Sequence, residues 1–407
     1  MRSKKFLIIP VFFVIAVACF LLSESGTDTG MSAVSLSLDA AEGTEPTAVQ
    51  TVQMVQPPQT SATAAPETAA PVRESAAPPA ALPDEPELEA YEGPVRHIFF
   101  HPLIINPEKA FTGGSLSRGF NDWFVTVPEF RKILESIYEN DYILIGMDSV
   151  CSITEQNGAK IVKRNELFLP KGKKPLVISI DDMNYYDYMI NSGCASKLYL
   201  DRQGHTAVEY KERDGAYGAS YDDIVPMVDE FVRQHPDFSL NGAKGIIALT
   251  GYEGILGYRT NALDSPGYEA DKTLAGILVN RLKDEGWSFA CHGYGHLDAA
   301  KVSLERLEKD CGRWKKEVEP LIGKTPVYIY PYGSPLKSSD KKFKLLKDNG
   351  FSIFCGVGPD GAIEYKGDYA YLERKSVDGL SISGNSPYLK ELFDCSQVLD
   401  PVRPKEY

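Results

Sequence analysis

Two adjacent carboxylates, Asp181 and Asp182, are placed where an α/β protein usually carries its chemistry. They follow residues 176–180, an apolar and β-branched run typical of a buried strand in a parallel sheet. Functional groups in α/β folds gather at the carboxyl ends of such strands. Because neighbouring strand residues point in opposite directions, one acid can bind a metal while the other acts as a base. The alternative is that one acid caps the next helix and the other is solvated.

Two histidines four residues apart, His292 and His296, follow a second short strand predicted at residues 287–291. Neutral imidazole is a common ligand of divalent metals, although a lone pair of this kind is weak evidence for one. The segment differs from a zincin helix, because no Glu follows the first His and two nearby glycines disfavour helix. Since both pairs follow strands, the sequence predicts that all four side chains converge at one edge of the sheet.

A third segment, residues 327–333, is predicted to be a strand that ends in the turn Pro331-Tyr332-Gly333. Together with the acid pair and the histidine pair, it resembles the polysaccharide deacetylases with a NodB-homology domain. That family carries an Asp-Asp pair after a strand, a His-x-x-x-His segment and an Arg-Pro-Pro-Tyr type of turn, in this order. The resemblance covers roughly residues 95–385.

The resemblance implies a fold and a set of residue roles. The implied fold class is α/β, a distorted (β/α) barrel of the polysaccharide deacetylase type. Asp181 is implied to be the catalytic base. Asp182, His292 and His296 are implied to hold one divalent metal, with zinc as the expected ion. The backbone N–H of Tyr332 is implied to help form the oxyanion hole.

The chain also departs from the family pattern, which indicates a divergent branch. Met183 replaces the Gly that usually follows the acid pair, and Gly293 replaces the Ser or Thr that usually follows the first His. Tyr330 stands where Arg or Pro is common. No His follows His296, so the late His of the family is missing. In the family an Arg pairs with the catalytic Asp, and Arg374 is the candidate here, with a register that the sequence leaves open.

The missing late His leaves open which residue protonates the leaving amine. Some circularly permuted poly-N-acetylglucosamine deacetylases take the acid His from an early strand, and this chain looks similar. His101 ends the strand predicted at residues 96–101, on the same edge as Asp181 and His292, whereas His97 begins that strand at the other end. We therefore predict His101 as the general acid. The alternative is a structural His that only hydrogen-bonds the strand end.

Strands and helices alternate through the rest of the chain. Helical apolar spacing occurs at residues 127–140, 222–234, 271–285, 302–318 and 339–348, and strand-like runs include 142–145, 245–250 and 351–355. This alternation predicts a parallel sheet with helices outside it. Two insertions with several tyrosines, at residues 185–188 and 250–259, either line a substrate groove or pack their loops onto the barrel.

The N-terminal part of the chain is predicted to direct export. Basic residues precede an apolar run within residues 1–23, a pattern typical of a signal or anchor segment. An uncleaved anchor, with the membrane as a partner and the catalytic domain outside, is favoured over a cleaved signal or a lipidated form. Residues 24–92 are rich in Ala, Pro, Thr and Glu and predict a disordered linker. The catalytic domain is then expected at residues 93–407.

The composition limits the classes of partner. A formal net charge of −13 over 407 residues argues against nucleic acid. Six cysteines beyond Cys19 permit disulfides in an exported chain, but they show no Cys-x-x-Cys spacing.

The favoured function is a metal-dependent hydrolase that removes N-acetyl groups from amino sugars of a cell-wall or extracellular polysaccharide. One alternative is a catalytically impaired glycan-binding protein of the same fold, which the missing late His favours. Another is a different metal-dependent hydrolase, such as a phosphoesterase. A two-metal site would need more ligands than the acid pair and the histidine pair provide.

Overall fold

The computed structural model describes residues 87–405. The predicted N-terminal segment at residues 1–23 and most of the predicted linker at residues 24–92 lie outside the described residues. The described part begins before the expected boundary at residue 93, because Leu88–Ala90 forms a strand that pairs with Phe168–Pro170. Within residues 87–405, no helix combines the length and the apolar character needed to span a membrane.

The described residues form sixteen strands and twelve α-helices. The strands are β1 (Leu88–Ala90), β2 (Arg96–Phe100), β3 (Tyr142–Leu144), β4 (Cys151–Gln156), β5 (Ala159–Arg164), β6 (Phe168–Pro170), β7 (Lys174–Asp181), β8 (Ala195–Leu200), β9 (Thr206–Lys211), β10 (Tyr217–Ser220), β11 (Gly245–Leu249), β12 (Trp287–Cys291), β13 (Val327–Ile329), β14 (Ile353–Val357), β15 (Ile363–Tyr365) and β16 (Ala370–Ser376). The α-helices are α1 (Pro107–Ala110), α2 (Gly114–Trp123), α3 (Val127–Glu139), α4 (Met147–Val150), α5 (Asp187–Asn191), α6 (Ile224–Gln234), α7 (Tyr268–Asp284), α8 (Leu304–Glu317), α9 (Glu319–Ile322), α10 (Lys341–Asp348), α11 (Gly379–Ser383) and α12 (Cys395–Val398). Short 3-10 helices lie at Pro236–Phe238, Leu240–Gly242, Pro331–Gly333 and Pro387–Leu389.

Seven parallel strands close into a barrel in the order β2, β7, β11, β12, β13, β14 and β16, with β16 returning to β2. The strand pairing is uneven. β12 and β13 share the single residue pair Cys291 and Tyr328, and β7 pairs with β3 near its start and with β11 near its end. The predicted (β/α) barrel is confirmed. It is distorted in that its strands are paired over unequal lengths.

The strand β7 is mostly apolar because both of its faces are covered. Val177 points into the barrel, where it packs among interior residues such as Ala248 and Ile329. Ile178 and Ile180 point the other way, into the layer between the barrel and its helices. Burial of one such side chain stabilises the fold by about 1.5–3 kcal/mol. This two-sided burial explains the continuous apolar run that precedes the acid pair.

Several of the helices begin at residues whose side chains accept hydrogen bonds from free backbone N–H groups, among them α3, α6, α8 and α10. α3 starts with a capping box between Thr126 and Glu129, and the side chain of Ser303 caps α8.

The hairpin β4–β5 and the three-stranded sheet of β8, β9 and β10 were not predicted. These strands are partly exposed, so they lack the continuous apolar runs that marked the barrel strands.

The cysteines in the described residues are all buried and unpaired. They are Cys151, Cys194, Cys291, Cys311, Cys355 and Cys395. The disulfides that six cysteines would permit are therefore not formed between residues 87 and 405.

Candidate metal centre

Three side chains with metal-binding atoms lie together beyond the carboxyl ends of β7 and β12. They are Asp182, His292 and His296, called here the ligand cluster, and one ligand atom of each lies within 4.8 Å of the others. The Nε2 atom of His296 is 3.6 Å from Asp182 Oδ2, and His292 Nε2 is 4.0 Å from Asp182 Oδ1. Three protein ligands leave a position open for water or substrate, as in catalytic zinc sites.

A hydrogen bond on the far side of the ring orients His292. Its Nδ1 lies 2.9 Å from the backbone carbonyl of Ile329, and because a carbonyl only accepts, Nδ1 carries the proton. The lone pair of Nε2 then faces the ligand cluster. Burial lowers the pKa of His292 and outweighs the opposite effect of Asp181 and Asp182. The ring is therefore neutral at physiological pH, which is the form that binds metals.

Asp182 is held in a left-handed backbone conformation, with φ of 61°. Its Oδ1 accepts a hydrogen bond of 2.7 Å from the Tyr186 hydroxyl, which lies 2.6 Å from Oγ1 of Thr250. Burial favours the neutral acid, but His296 and His292 outweigh burial and lower the pKa of Asp182. The donor set of one ionised carboxylate and two imidazoles fits a divalent metal such as zinc.

Asp181 ends β7 and is paired with Arg374 of β16. Two guanidinium nitrogens of Arg374 lie 2.8 and 2.9 Å from the two carboxylate oxygens, and both side chains are almost completely buried. Burial opposes ionisation, but Arg374 and His292 more than offset it and hold the pKa of Asp181 well below its usual range. Asp181 Oδ2 is 3.9 Å from His292 Nε2. An ionised carboxylate of fixed orientation therefore lies beside the ligand cluster.

Arg374 connects this carboxylate to a buried hydrogen-bond chain that sequence reasoning missed. Its Nη1 atom also donates to Ser179 Oγ at 3.0 Å, and Ser179 Oγ lies 3.0 Å from Nε2 of His97. The guanidinium carbon lies 4.2 Å from the centroid of the Phe99 ring, a cation–π contact. The sequence could have indicated one member of this hydrogen-bond chain. Side chains alternate along a strand, so Ser179 shares a face of β7 with Asp181.

His101 lies just after β2, on the same side of the barrel as the acid pair. Its Nδ1 donates to the backbone carbonyl of Trp123 at 3.2 Å, and its ring is 5.4 Å from that of Phe124. Its charge is one of the influences that lower the pKa values of Asp181 and Asp182. Because Nδ1 donates its proton to the Trp123 carbonyl, Nε2 is the nitrogen that can exchange a proton with a substrate.

The turn Pro331–Gly333 follows β13 as a short 3-10 helix. Within it, Tyr332 adopts a left-handed conformation with φ of 61°. Its half-exposed ring packs edge-on against His296, with centroids 4.7 Å apart. The predicted oxyanion-hole residue is thus in contact with one member of the ligand cluster.

The tyrosines of the two insertions have different environments. Tyr252 and Tyr188 each stack against Tyr186, with centroid distances of 4.6 and 5.8 Å, and Tyr188 is 40% exposed. Tyr185 is fully buried and packs its loop onto the barrel. Arg259 donates to the backbone carbonyl of Tyr185 at 3.2 Å, so it ties the two insertions together. The stacked rings remain candidates for a groove, whereas Tyr185 and Arg259 have structural contacts.

The polysaccharide deacetylase family model matches residues 269–354 of the chain. The matched segment contains both histidines of the ligand cluster and the Pro331–Gly333 turn. The chain is related to the polysaccharide deacetylases. The resemblance seen in the sequence motifs is thereby confirmed, and it supports a deacetylase activity. The comparison with curated proteins found no match.

Several solved deacetylase structures are similar to the chain at low identity. The Streptococcus pyogenes deacetylase PplD, in complex with acetate, is 12% identical with a TM-score of 0.40 over 78% of this chain and 100% of that chain. BC0361, a polysaccharide deacetylase from Bacillus cereus, is 13% identical with a TM-score of 0.40 over 75% and 70%. A de-N-acetylase from Aggregatibacter actinomycetemcomitans is 14% identical with a TM-score of 0.40 over 70% and 95%.

The buried His97 predicts a pH dependence of stability. Burial, followed by the charge of Arg374, lowers its pKa from 6.5 to about 3. Between these values the unfolded chain binds one more proton than the native protein, so the free energy of unfolding falls as the pH falls. The slope from this residue approaches about 1.4 kcal/mol per pH unit.

We expect His97→Gln to flatten this dependence between roughly pH 7 and pH 5, measured by urea unfolding. His205, with a side chain 59% exposed, provides the control, and His205→Gln should keep the wild-type slope. Equal slopes for wild type and His97→Gln would contradict a native state with neutral His97.

Proposed function

We propose that the protein is a metal-dependent hydrolase that removes N-acetyl groups from amino sugars of a cell-wall or extracellular polysaccharide. The observation that carries the proposal is the ligand cluster lying beside the ionised Asp181. The family match at residues 269–354 supports the deacetylase part of the proposal. The extracellular substrate rests on the export predicted from residues 1–23.

The ligand cluster would hold one divalent metal, with zinc as the expected ion. When bound, such an ion polarises the acetyl carbonyl and makes water a better nucleophile. Asp181 accepts a proton from the attacking water, and its pairing with Arg374 keeps the carboxylate ionised and oriented for this role. The backbone N–H of Tyr332 donates a hydrogen bond to the oxygen that becomes negatively charged.

The leaving amine must gain a proton when its bond to the acetyl carbon breaks, and His101 is proposed to supply it. The Nδ1 atom is occupied by the Trp123 carbonyl, which fixes the ring and leaves Nε2 as the donor. The products are then acetate and a free amino sugar. The exposed ring of Tyr188, stacked on Tyr186, offers a flat apolar surface for a sugar ring near Asp182.

Acetate release from chitin oligomers, with and without a chelator, tests the proposed function. The purified protein should contain about one equivalent of metal and should stop releasing acetate after chelation. His292→Ala should lose most of the metal, because one of three ligands is removed, whereas the exposed control His205→Ala should keep it.

Full metal retention in His292→Ala would refute the ligand assignment. Glycan binding without acetate release would instead identify a catalytically impaired protein, and phosphate release from phosphoesters would identify a different hydrolase.

Asp181→Asn tests the proposed base. The substitution preserves the shape of the side chain but removes its basicity, so we expect the rate of acetate release to fall by about 10²–10⁴-fold. Metal content should be unchanged, because Asp181 is outside the ligand cluster. Since Arg374 loses its counter-ion, the melting temperature must be measured on the same preparation. A near wild-type rate in the folded variant would mean that another group is the base.

His101→Ala tests the proposed acid. We expect a lower turnover number with metal content and melting temperature close to wild type, because His101 is partly exposed and lies outside the ligand cluster. His101→Gln retains a polar side chain without an acid and should be equally impaired. An unchanged rate, or a loss that is explained by unfolding, would assign His101 a structural role.

A further inference from the structure

The loop between the two histidines has a backbone conformation that needs support. Gly293 has φ of 68°, and His296 has φ of 49° although it is not a glycine. A non-glycine residue in the left-handed region costs on the order of 1–3 kcal/mol and persists only where its surroundings hold it. The position and direction of both imidazoles depend on this loop.

Asp310 of α8 supplies such support. Its Oδ2 accepts the backbone N–H of Tyr294 at 2.7 Å, and its Oδ1 accepts that of Gly295 at 2.8 Å. The carboxylate is 7% exposed, so water contributes little to these contacts. One buried carboxylate therefore binds two successive amides that lie between His292 and His296.

The space around Asp310 explains a departure of this chain from the family pattern. A Cβ atom added at Gly293 would lie 3.2 Å from Asp310 Oδ2, and one added at Gly295 would lie 3.2 Å from Oδ1. The carboxylate thus occupies the space beside both glycines. At residue 293, where the family usually has Ser or Thr, a side chain would crowd Asp310 in addition to straining the backbone.

Other side chains of α8 hold the same loop through Tyr294. The guanidinium of Arg313 lies 3.9 Å from the centroid of the Tyr294 ring, and the Tyr294 hydroxyl donates to Glu317 at 2.5 Å. Asp310, Arg313 and Glu317 are spaced three and four residues apart, so they share one face of the helix. This face of α8 is a continuous support for the loop.

We propose that Asp310 is a positioning residue for the metal centre, which fixes the distance and direction between His292 and His296 through the backbone of their loop. The inference rests on the metal-dependent function proposed above. Outer groups that orient metal ligands typically change metal affinity by about 10–100-fold when they are removed. Loss of Asp310 is expected to act through this affinity rather than through the fold alone.

The test is the zinc dissociation constant of the purified full chain, measured by competition with a chromophoric chelator, together with the melting temperature of the metal-free protein. Asp310→Ala should weaken zinc binding by about 10–100-fold. Asp310→Asn should be intermediate, because one amide oxygen can still accept a hydrogen bond while the NH₂ group cannot. Glu308→Ala, an exposed change on the same helix, should bind zinc as wild type does.

A wild-type dissociation constant in folded Asp310→Ala, with only a lower melting temperature, would overturn the positioning role and leave the proposed function intact. If Asp310→Ala does not fold, an unchanged dissociation constant in Asp310→Asn has the same consequence. A wild-type protein that binds no zinc would overturn the proposed function and the positioning role together.

Discussion

Two neighbouring carboxylates buried at the end of one strand are the constraint on which the rest of the site depends. An ionised carboxylate that leaves water loses several kcal/mol of hydration unless other groups replace it. Asp181 receives two hydrogen bonds from Arg374, whereas Asp182 receives one from Tyr186 and faces two imidazoles. Each acid stays ionised for a different reason. One can therefore bind a metal while its neighbour is held apart as a base.

The barrel and the ligand cluster could be predicted from the sequence because both depend on local patterns. The run at residues 176–180 is apolar on both strand faces, as a strand inside a ring of helices must be. The acid pair and the histidine pair each follow such a strand. Parallel strands in one barrel then bring their carboxyl ends together, so the convergence of Asp182 with His292 and His296 follows from the topology.

The supporting groups could be predicted only in part, because they depend on tertiary contacts. The family resemblance named Arg374 as the candidate partner of Asp181 but left its register open, and the structure shows the pair. Arg374 and Asp181 are 193 residues apart, and their pairing requires the order β16, β2 and β7 around the barrel. In the sequence, Asp310 cannot be distinguished from other polar residues of a helix. Its role depends on the packing of α8 against the loop between His292 and His296. The strands β8, β9 and β10 are partly exposed, so no apolar run distinguished them from loops.

The most direct measurement is a crystal structure of the zinc-loaded protein with anomalous scattering collected at the zinc absorption edge. One anomalous peak is predicted about 2.0–2.2 Å from a carboxylate oxygen of Asp182 and from Nε2 of His292 and His296. Asp181 should remain paired with Arg374 and should not bind the ion directly. The absence of a peak among these three side chains, or a zinc ion bound through Asp181 in place of Asp182, would contradict the assignment.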